Sequence, residues 1–429
     1  MKGKLFKTVF TVAVVLFVAC ALSMPAGARV PKKVIIGGTI SLSGKFAKEG
    51  QQSVWGVKAV EKWVNTVHGG VKIKGQAIPV EYKYYDDESK KETVTSLCER
   101  LITSDRVKFI LAPYSSGLTL AGAPVVDKHG VLYMSHGGAS DRIFDQGYSY
   151  VVQTLSPASK YQTAPLDMIH QLDPSAKKIA FLFEDGEFSR AVARGAAAHA
   201  KKLGFQIVFN RTYPKAAKDL TPVLTELKAA HADVLIGGGH FADGQLLAKQ
   251  LGDMSIDFKA VSILVAPTLP GFYKALGTMA ESFMAPGQWG IGAKYSPQSA
   301  KSLGLPYFGP TQQVFMDYFL RESGGVNPDY HGAEAAAAFL AYVYAIEKAN
   351  SLNPDDVRDT MNKLHFMTFF GEWQIDPETG KQTAHDMVVL QWQGKKLQII
   401  WPRAAQTSKP FYPMLTTKQR ASGKLAIPK

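Results

Sequence analysis

The sequence predicts an α/β fold made of two blocks of parallel sheet, each covered by helices on both faces. Three observations carry this reading. Short β-branched runs alternate with helical patterns from about residue 34 to residue 134, and the alternation starts afresh near Lys177. The segments that follow these runs are rich in Gly and Ser. The chain's 429 residues exceed a single core and suit two or three domains at roughly 100–200 residues each. Alternating short strands and helices run their strands parallel and cover both sheet faces.

In the first block a strand at 34–40 ends in a Gly/Ser loop, and 50–67 places Trp55, Val60 and Val64 at helical spacing. A strand at 78–85, a helix at 90–103, a strand at 109–112, a helix at 118–128 and a strand at 131–134 follow. Cys98 falls in the 93–102 helical pattern and reads as a small core residue. The second block runs strand 178–183, helix 187–203, strand 206–210, helix 222–230, strand 233–236, helix 243–251 and strand 259–264. Thr221 is the expected N-cap of the 222–230 helix, with Pro222 at its first position. Helices at 311–322, 334–350 and 355–364 come next, the last begun by Asn353-Pro354. Strands at 371–375, 387–391 and 397–401 close the pattern, and from Pro402 a basic, Pro-containing tail shows no periodicity.

The N-terminus predicts export. Met1 to Lys7 carries three lysines and no acid, an apolar run extends to about Leu22, and Ala26-Gly27-Ala28 ends it in small residues. This is the pattern of a secretory signal peptide over 1–28, and its apolar run is short for a membrane span. Two processing routes stand: cleavage after Ala28, and lipid attachment at Cys20 within Val18-Ala19-Cys20. Cleavage removes three of the positive charges behind the formal net charge of +13, and leaves Cys98 as the one cysteine of the mature chain. A disulfide scaffold and cysteine-based metal centres are thereby excluded.

Chemical motifs mostly fail on inspection. Gly38 to Lys45 has one residue too many before Gly44-Lys45 for a phosphate-binding loop, and Phe46 stands where Ser or Thr must hold magnesium. Gly237-Gly238-Gly239 lacks dinucleotide spacing, and Ser115-Ser116-Gly117 has no preceding Gly at nucleophile-elbow spacing. The ten histidines do not fall at metal-ligand spacing on one helix, and Asp86-Asp87-Glu88 reads as a solvated helix start. Basic residues are scattered without interleaved aromatics, which argues against a nucleic-acid partner. No cofactor motif emerges, and no nucleophile paired with a base points to an enzyme.

Open α/β sheets bind ligands beyond the carboxyl ends of their strands. The loops at 41–50, 113–118, 135–141, 184–189 and 237–244 are therefore the place for a binding site. Their small residues let backbone N–H groups and hydroxyls approach a ligand.

The order of these pieces resembles the type I periplasmic solute-binding proteins of branched-chain-amino-acid ABC transporters, the Leu/Ile/Val-binding protein group. The residues that carry the resemblance run from Ile36-Gly37 to Ser43-Gly44 with Gly50, then Tyr84-Tyr85-Asp86-Asp87, Ser115-Ser116 and Gly130-Val131-Leu132 into Gly137-Gly138-Ala139-Ser140. Asp219-Leu220, Asp233-Val234-Leu235-Ile236-Gly237-Gly238 and Gly371-Glu372-Trp373-Gln374-Ile375-Asp376 complete it, over about residues 32–402.

The resemblance implies two doubly wound, Rossmann-like lobes joined by three hinge crossings, expected near 151–156, 283–287 and 364–368. On that scheme 32–151 with 285–364 form the first lobe, 152–284 with 365–403 the second, and 404–429 a tail. It implies a periplasmic monomer that closes over a small solute and delivers it to ABC permease subunits. A sensing role on the same fold is the alternative. Tyr114, Ser115, Ser116, Gly138, Ala139 and Ser140 would hold a carboxylate, and Phe188 would cover the ligand. Family members that bind amino acids place an acid in the loop matching 239–244, where this chain has Ala242 with Asp243 next to it and His240 before. Asp243 or Glu49 would face an ammonium. If neither does, an aromatic or aliphatic carboxylate or an amide is the better ligand, with His240 suited to a hydroxyl or carbonyl.

Overall fold

The structure is a computed structural model, and it describes residues 31–423. The predicted leader, with Cys20 and the Ala28 cleavage point, lies outside the described residues. Among the described residues no helix is long and apolar enough to cross a membrane.

The first lobe centres on a five-stranded sheet in the order Val80–Asp86, Val34–Ile40, Phe109–Leu111, Leu132–Ser135, Val151–Gln153. Every pairing in it is parallel. Alternation sorts the strand residues by face. Phe109, Leu111, Leu132 and Met134 meet the helices Ala47–Trp63 and Tyr330–Ala349 in one apolar cluster. Ile110 and Tyr133 point the other way, towards Lys91–Thr103 and Ser116–Lys128, and Cys98 is buried there.

Tyr330–Ala349 is the spine of this lobe. All its residues from 330 to 346 are buried, the behaviour of a helix apolar all round. Asp329 caps it by accepting from the His331 and Gly332 N–H groups. Its first turn touches the helix Ala47–Trp63 through two glycines: a Cβ on Gly56 would stand 1.9 Å from the Gly332 carbonyl oxygen. Only glycine permits that approach, and it holds the helix start against the cleft. The sequence reading began this helix at residue 334, four residues late, because Tyr330, His331 and Gly332 lie before the alanine run.

The second lobe holds a seven-stranded sheet in the order Lys396–Trp401, Val388–Gln393, Met284–Gly287, Ala260–Ile263, Val234–Gly238, Lys178–Glu184, Gln206–Tyr213. Val388–Gln393 pairs antiparallel with both its neighbours, and the other pairings are parallel. Helices Thr163–Leu172 and Pro270–Leu276 belong to this lobe and have no counterpart in the sequence reading. Thr221 is the first residue of its helix rather than the cap; its N–H and hydroxyl both bond Asp219 Oδ1, which does the capping work from outside.

The ranges expected to cross at 151–156 and 283–287 hold the strands Val151–Gln153 and Met284–Gly287, each the last parallel strand of its sheet. The third differs. The hairpin Phe366–Thr368 with Gly371–Trp373 packs Phe366 and Trp373 into the first lobe's core, and the chain enters the second sheet only at Val388. The passage is therefore near His385, about twenty residues beyond 364–368, and residues 365–376 belong to the first lobe. Apolar burial of that hairpin against Tyr344 decides it. The three crossings are bonded together: Ser156 N–H donates to Gln288 Oε1 (3.0 Å), Ser156 Oγ to the His385 carbonyl (2.6 Å), and His385 Nε2 meets the Gln288 carbonyl (2.8 Å).

The region after residue 402 is also part of the second lobe. Phe411 and Met414 are buried, Met414 N–H donates to the Lys259 carbonyl, and the short helix Thr417–Ala421 sets the Arg420 guanidinium 4.8 Å from the Phe283 ring. Burial lowers the Arg420 pKa to about 10.

Candidate functional site

The loops at the carboxyl ends of both sheets face each other, as parallel sheets dictate, and they touch. From the first lobe Phe46 follows the loop after Val34–Ile40, Tyr114 follows Phe109–Leu111, and Gly137 follows Leu132–Ser135. From the second lobe Phe188 stands in the first turn of Glu187–Lys202, and His240 precedes Phe241–Asp253. Tyr114 Oη lies 2.9 Å from His240 Nδ1 across the cleft. The Phe46 ring packs on His240 at 4.7 Å and on Tyr114 at 5.4 Å between centroids. Lys45 pairs with Glu184 across the same gap, and Ser140 Oγ and Arg142 both bond Glu187. The two lobes are closed on each other.

Between them lies a small cavity of about 10 Å³, room for about one water, lined by Tyr114, Gly137, Leu155, Tyr161, Phe188, His240, Tyr330 and Glu334. Phe188 stands edge-on to Tyr161 at 5.0 Å, so most of the wall is aromatic. Gly137 is needed there: a Cβ would meet Tyr114 at 2.9 Å. A larger open groove at the amino ends of the first sheet, lined by Lys33, Lys74, Arg106 and Lys108 among others, faces away from this chemistry.

Glu334 is the feature that sequence reasoning missed. It is 1% exposed, and neither carboxylate oxygen has a partner in the protein. Burial, with Asp329 nearby, raises its pKa well above the ordinary carboxyl value. The available signal was a single acid inside the otherwise apolar stretch from Ala333 to Ala345.

The expected site residues fall into three groups. Tyr114, Phe188 and His240 line the cavity. Burial, with Lys45 and His331 adding to it, drives His240 well below the usual imidazole range, so its ring is neutral. Ser116, Gly138, Ala139 and Ser140 are gathered at its edge but bond one another and their surroundings. Ser140 N–H donates to Ser116 Oγ (3.0 Å), Gly138 N–H to Ser135 Oγ (3.1 Å), and the Ala139 carbonyl accepts from Ala158 N–H (2.7 Å). Ser115 is buried beside them at the start of Ser116–Lys128.

The two acids expected to face an ammonium stand elsewhere. Asp243 caps its own helix: Oδ1 accepts from His240 N–H (2.9 Å) and Oδ2 from Tyr213 Oη (2.6 Å). Burial raises its pKa to about 6. Glu49 Oε1 accepts from Phe241 N–H (3.3 Å) across the cleft, Oε2 is unpartnered, and burial raises its pKa. Neither lines the cavity.

Two more buried groups stand near. His331 stacks on Tyr330 and lies edge-on to Tyr114; its Nδ1 is 3.3 Å from Asp329 Oδ1 without hydrogen-bond geometry. His136 has both ring nitrogens unpartnered, and burial lowers its pKa to about 3. Among the described residues no cluster of His, Cys, Asp or Glu could hold a metal ion.

Known proteins resemble the chain over nearly its whole length. The Leu/Ile/Val-binding protein homolog 8 of Brucella suis biovar 1 is 23% identical over 399 residues, covering 91% of this chain and 95% of that protein. In solved structures, the branched-chain amino acid transporter substrate-binding protein LivJ from Streptococcus pneumoniae, in complex with isoleucine, aligns at a TM-score of 0.72. It is 18% identical and covers 85% of this chain and 98% of its own. A solute-binding protein of an ABC transporter from R. palustris, in complex with 4-hydroxybenzoate, aligns at 0.70 with 19% identity, over 85% of this chain and 95% of its own. At these identities the structural likeness speaks for the fold. The family model described as periplasmic binding protein matches residues 33–396, and the chain belongs to that family.

Proposed function

We propose that this protein is the extracytoplasmic solute-binding component of an ABC importer, closing its two lobes over a small organic solute and passing it to membrane permease subunits. The observation that carries this is the closed cleft. Tyr114 and His240 meet across it at 2.9 Å, and a small aromatic-lined cavity lies between the lobes. Closure of this kind is a population shift, driven by contacts that the solute makes only in the shut form. The hinge bonds among Ser156, Gln288 and His385 give the lobes a common pivot.

The related proteins were solved with isoleucine and with 4-hydroxybenzoate, both small amphipathic molecules. The rings of Tyr114, Tyr161, Phe188 and Tyr330 give the cleft a wall whose chemistry suits an apolar or aromatic body, taken in as the lobes part. The leader over 1–28 directs the chain to the periplasm, where it acts as a monomer.

The test is mass spectrometry of small molecules released on denaturing the purified protein, followed by X-ray scattering as each is returned to the refolded chain. One released solute that comes back unchanged and compacts the protein is the expected result. A solute recovered in altered form would establish an enzyme instead, and a panel that neither binds nor compacts the chain would sink the reading.

A further inference from the structure

The centre of the cleft has the opposite charge character to the chain as a whole. Against a formal net charge of +13, the region where the lobes meet buries Glu49, Glu184, Asp243, Asp329 and Glu334, each no more than 4% exposed. Three of these have protein partners that account for them. Glu184 pairs with Lys45, Asp243 caps its helix, and Asp329 caps the helix that carries Glu334. Glu49 spends one oxygen on Phe241. Glu334 alone among the five has no partner for either oxygen and also lines the cavity.

A buried carboxyl with nothing to bond is costly, and a fold retains one where a ligand completes it. Its surroundings say which ligand. Among the described residues lining the cavity, none is a lysine or arginine, so the lining offers a carboxylate ligand no cation. His240 is neutral. The Ser116 and Ser140 groups expected to hold a carboxylate are bonded to each other or to Glu187. What the cavity does present is one carboxyl among the rings of Tyr114, Tyr161, Phe188 and Tyr330, an acid in an aromatic setting that suits an organic cation.

We propose that the cleft selects a small organic cation, a protonated amine on an apolar or aromatic skeleton, and that Glu334 pairs with its nitrogen. This rests on the solute-capture reading above and names the class of solute. The selecting acid thus comes from the central helix of the first lobe, not from the 239–244 loop of the second.

Capture has a proton cost. The groups facing Glu334 are Asp329 and Tyr330 at the start of its own helix, Tyr114 from the rest of the first lobe, Tyr161 after the first crossing, and His240 from the second lobe. Burial and the neighbouring Asp329 raise the Glu334 pKa and so favour its protonated form. An arriving ammonium favours the carboxylate, so the acid proton leaves to solvent while the ligand keeps its own. Binding is therefore coupled to proton release.

The experiment uses two matched triplets: 2-phenylethylamine, L-phenylalanine and 3-phenylpropanoate, then 3-methylbutylamine, L-leucine and 4-methylpentanoate. Affinities are measured by calorimetry on the full chain in phosphate and in Tris. In at least one triplet the amine should bind about 10- to 100-fold tighter than the carboxylate, with the amino acid, which carries the same carboxylate, below the amine. The amine's heat of binding should differ between the two buffers with the sign of proton release. Glu334→Gln should level the triplet and abolish the buffer difference. Should that variant fail to fold, the triplet ranking and the proton release of the unaltered protein decide alone. A carboxylate that binds as tightly as its amine overturns the inference and leaves solute capture standing. So does loss of the nitrogen preference in Asp243→Asn with its retention in Glu334→Gln. If all six fail, the charge of a co-purified solute decides, and a chain that neither binds nor co-purifies any small molecule overturns both readings.

Discussion

At the hinge, Ser156 and Gln288 are buried with their polar atoms partnered, bonded to each other and to His385 from three separate passes of the chain. In the cavity, Glu334 is equally buried and bonds nothing. Both regions are polar and buried, yet Ser156 and Gln288 find their partners within the protein, while both oxygens of Glu334 are left open. Stability and function are thereby assigned to different places. The hinge must hold in every state the lobes visit, whereas the cavity reaches its best state only with a solute inside.

Breaking the hinge side of this contrast should have the largest effect. Gln288→Ala orphans the Ser156 N–H and vacates buried volume, for an expected loss of about 3 kcal/mol in urea unfolding. A loss below about 1 kcal/mol would mean that Gln288 is not what ties the crossings.

The next largest effect depends on pH. Burial, with a smaller push from Lys160, lowers the His385 pKa to about 4 from its ordinary 6.5. A depressed imidazole contributes stability above the unfolded value, and this is lost as pH falls towards the folded one. The deficit of His385→Gln relative to the parent should therefore narrow by about 2 kcal/mol between pH 6.5 and pH 4. A gap that stays constant across that window would show that His385 is not buried neutral.

The smallest effect sharpens the cavity side. Glu334→Leu removes two unpartnered oxygens, so the solute-free protein should be unchanged or more stable by about 1 kcal/mol. A loss of more than about 2 kcal/mol would reveal partners that the carboxyl already has.

Much of the fold was legible in the sequence because parallel sheets write their strands as continuous apolar runs. Val34–Ile40, Lys178–Glu184 and Val234–Gly238 are plain in this respect. The strands Val151–Gln153 and Met284–Gly287 lie in the ranges expected to cross and are too short to carry a pattern. The third crossing was misplaced because nothing local in Phe366–Trp373 says which lobe its aromatics enter. In the site, Tyr114, Phe188 and His240 were reachable from strand-end position alone. Glu334 was not, because it lies on a helix and its meaning depends on Gly56 meeting Gly332 some 280 residues away in sequence. Asp243 shows the converse: an acid at a suggestive position is absorbed by its own helix terminus.

The three-fold crossing also sets a schedule for synthesis. The five strands of the first sheet are all present by residue 153, but the face formed by Ile36, Leu111 and Leu132 waits for the helix Tyr330–Ala349. At about 5–20 residues per second, that face stays covered by Ala47–Trp63 alone for roughly 10–40 s. The second sheet fares no better, since Met284–Gly287 is an open edge until Val388–Gln393 arrives. Neither lobe is a unit that the ribosome can finish early. A nascent-chain chaperone would meet one defined apolar surface, and a chain cut short before residue 330 would expose it permanently.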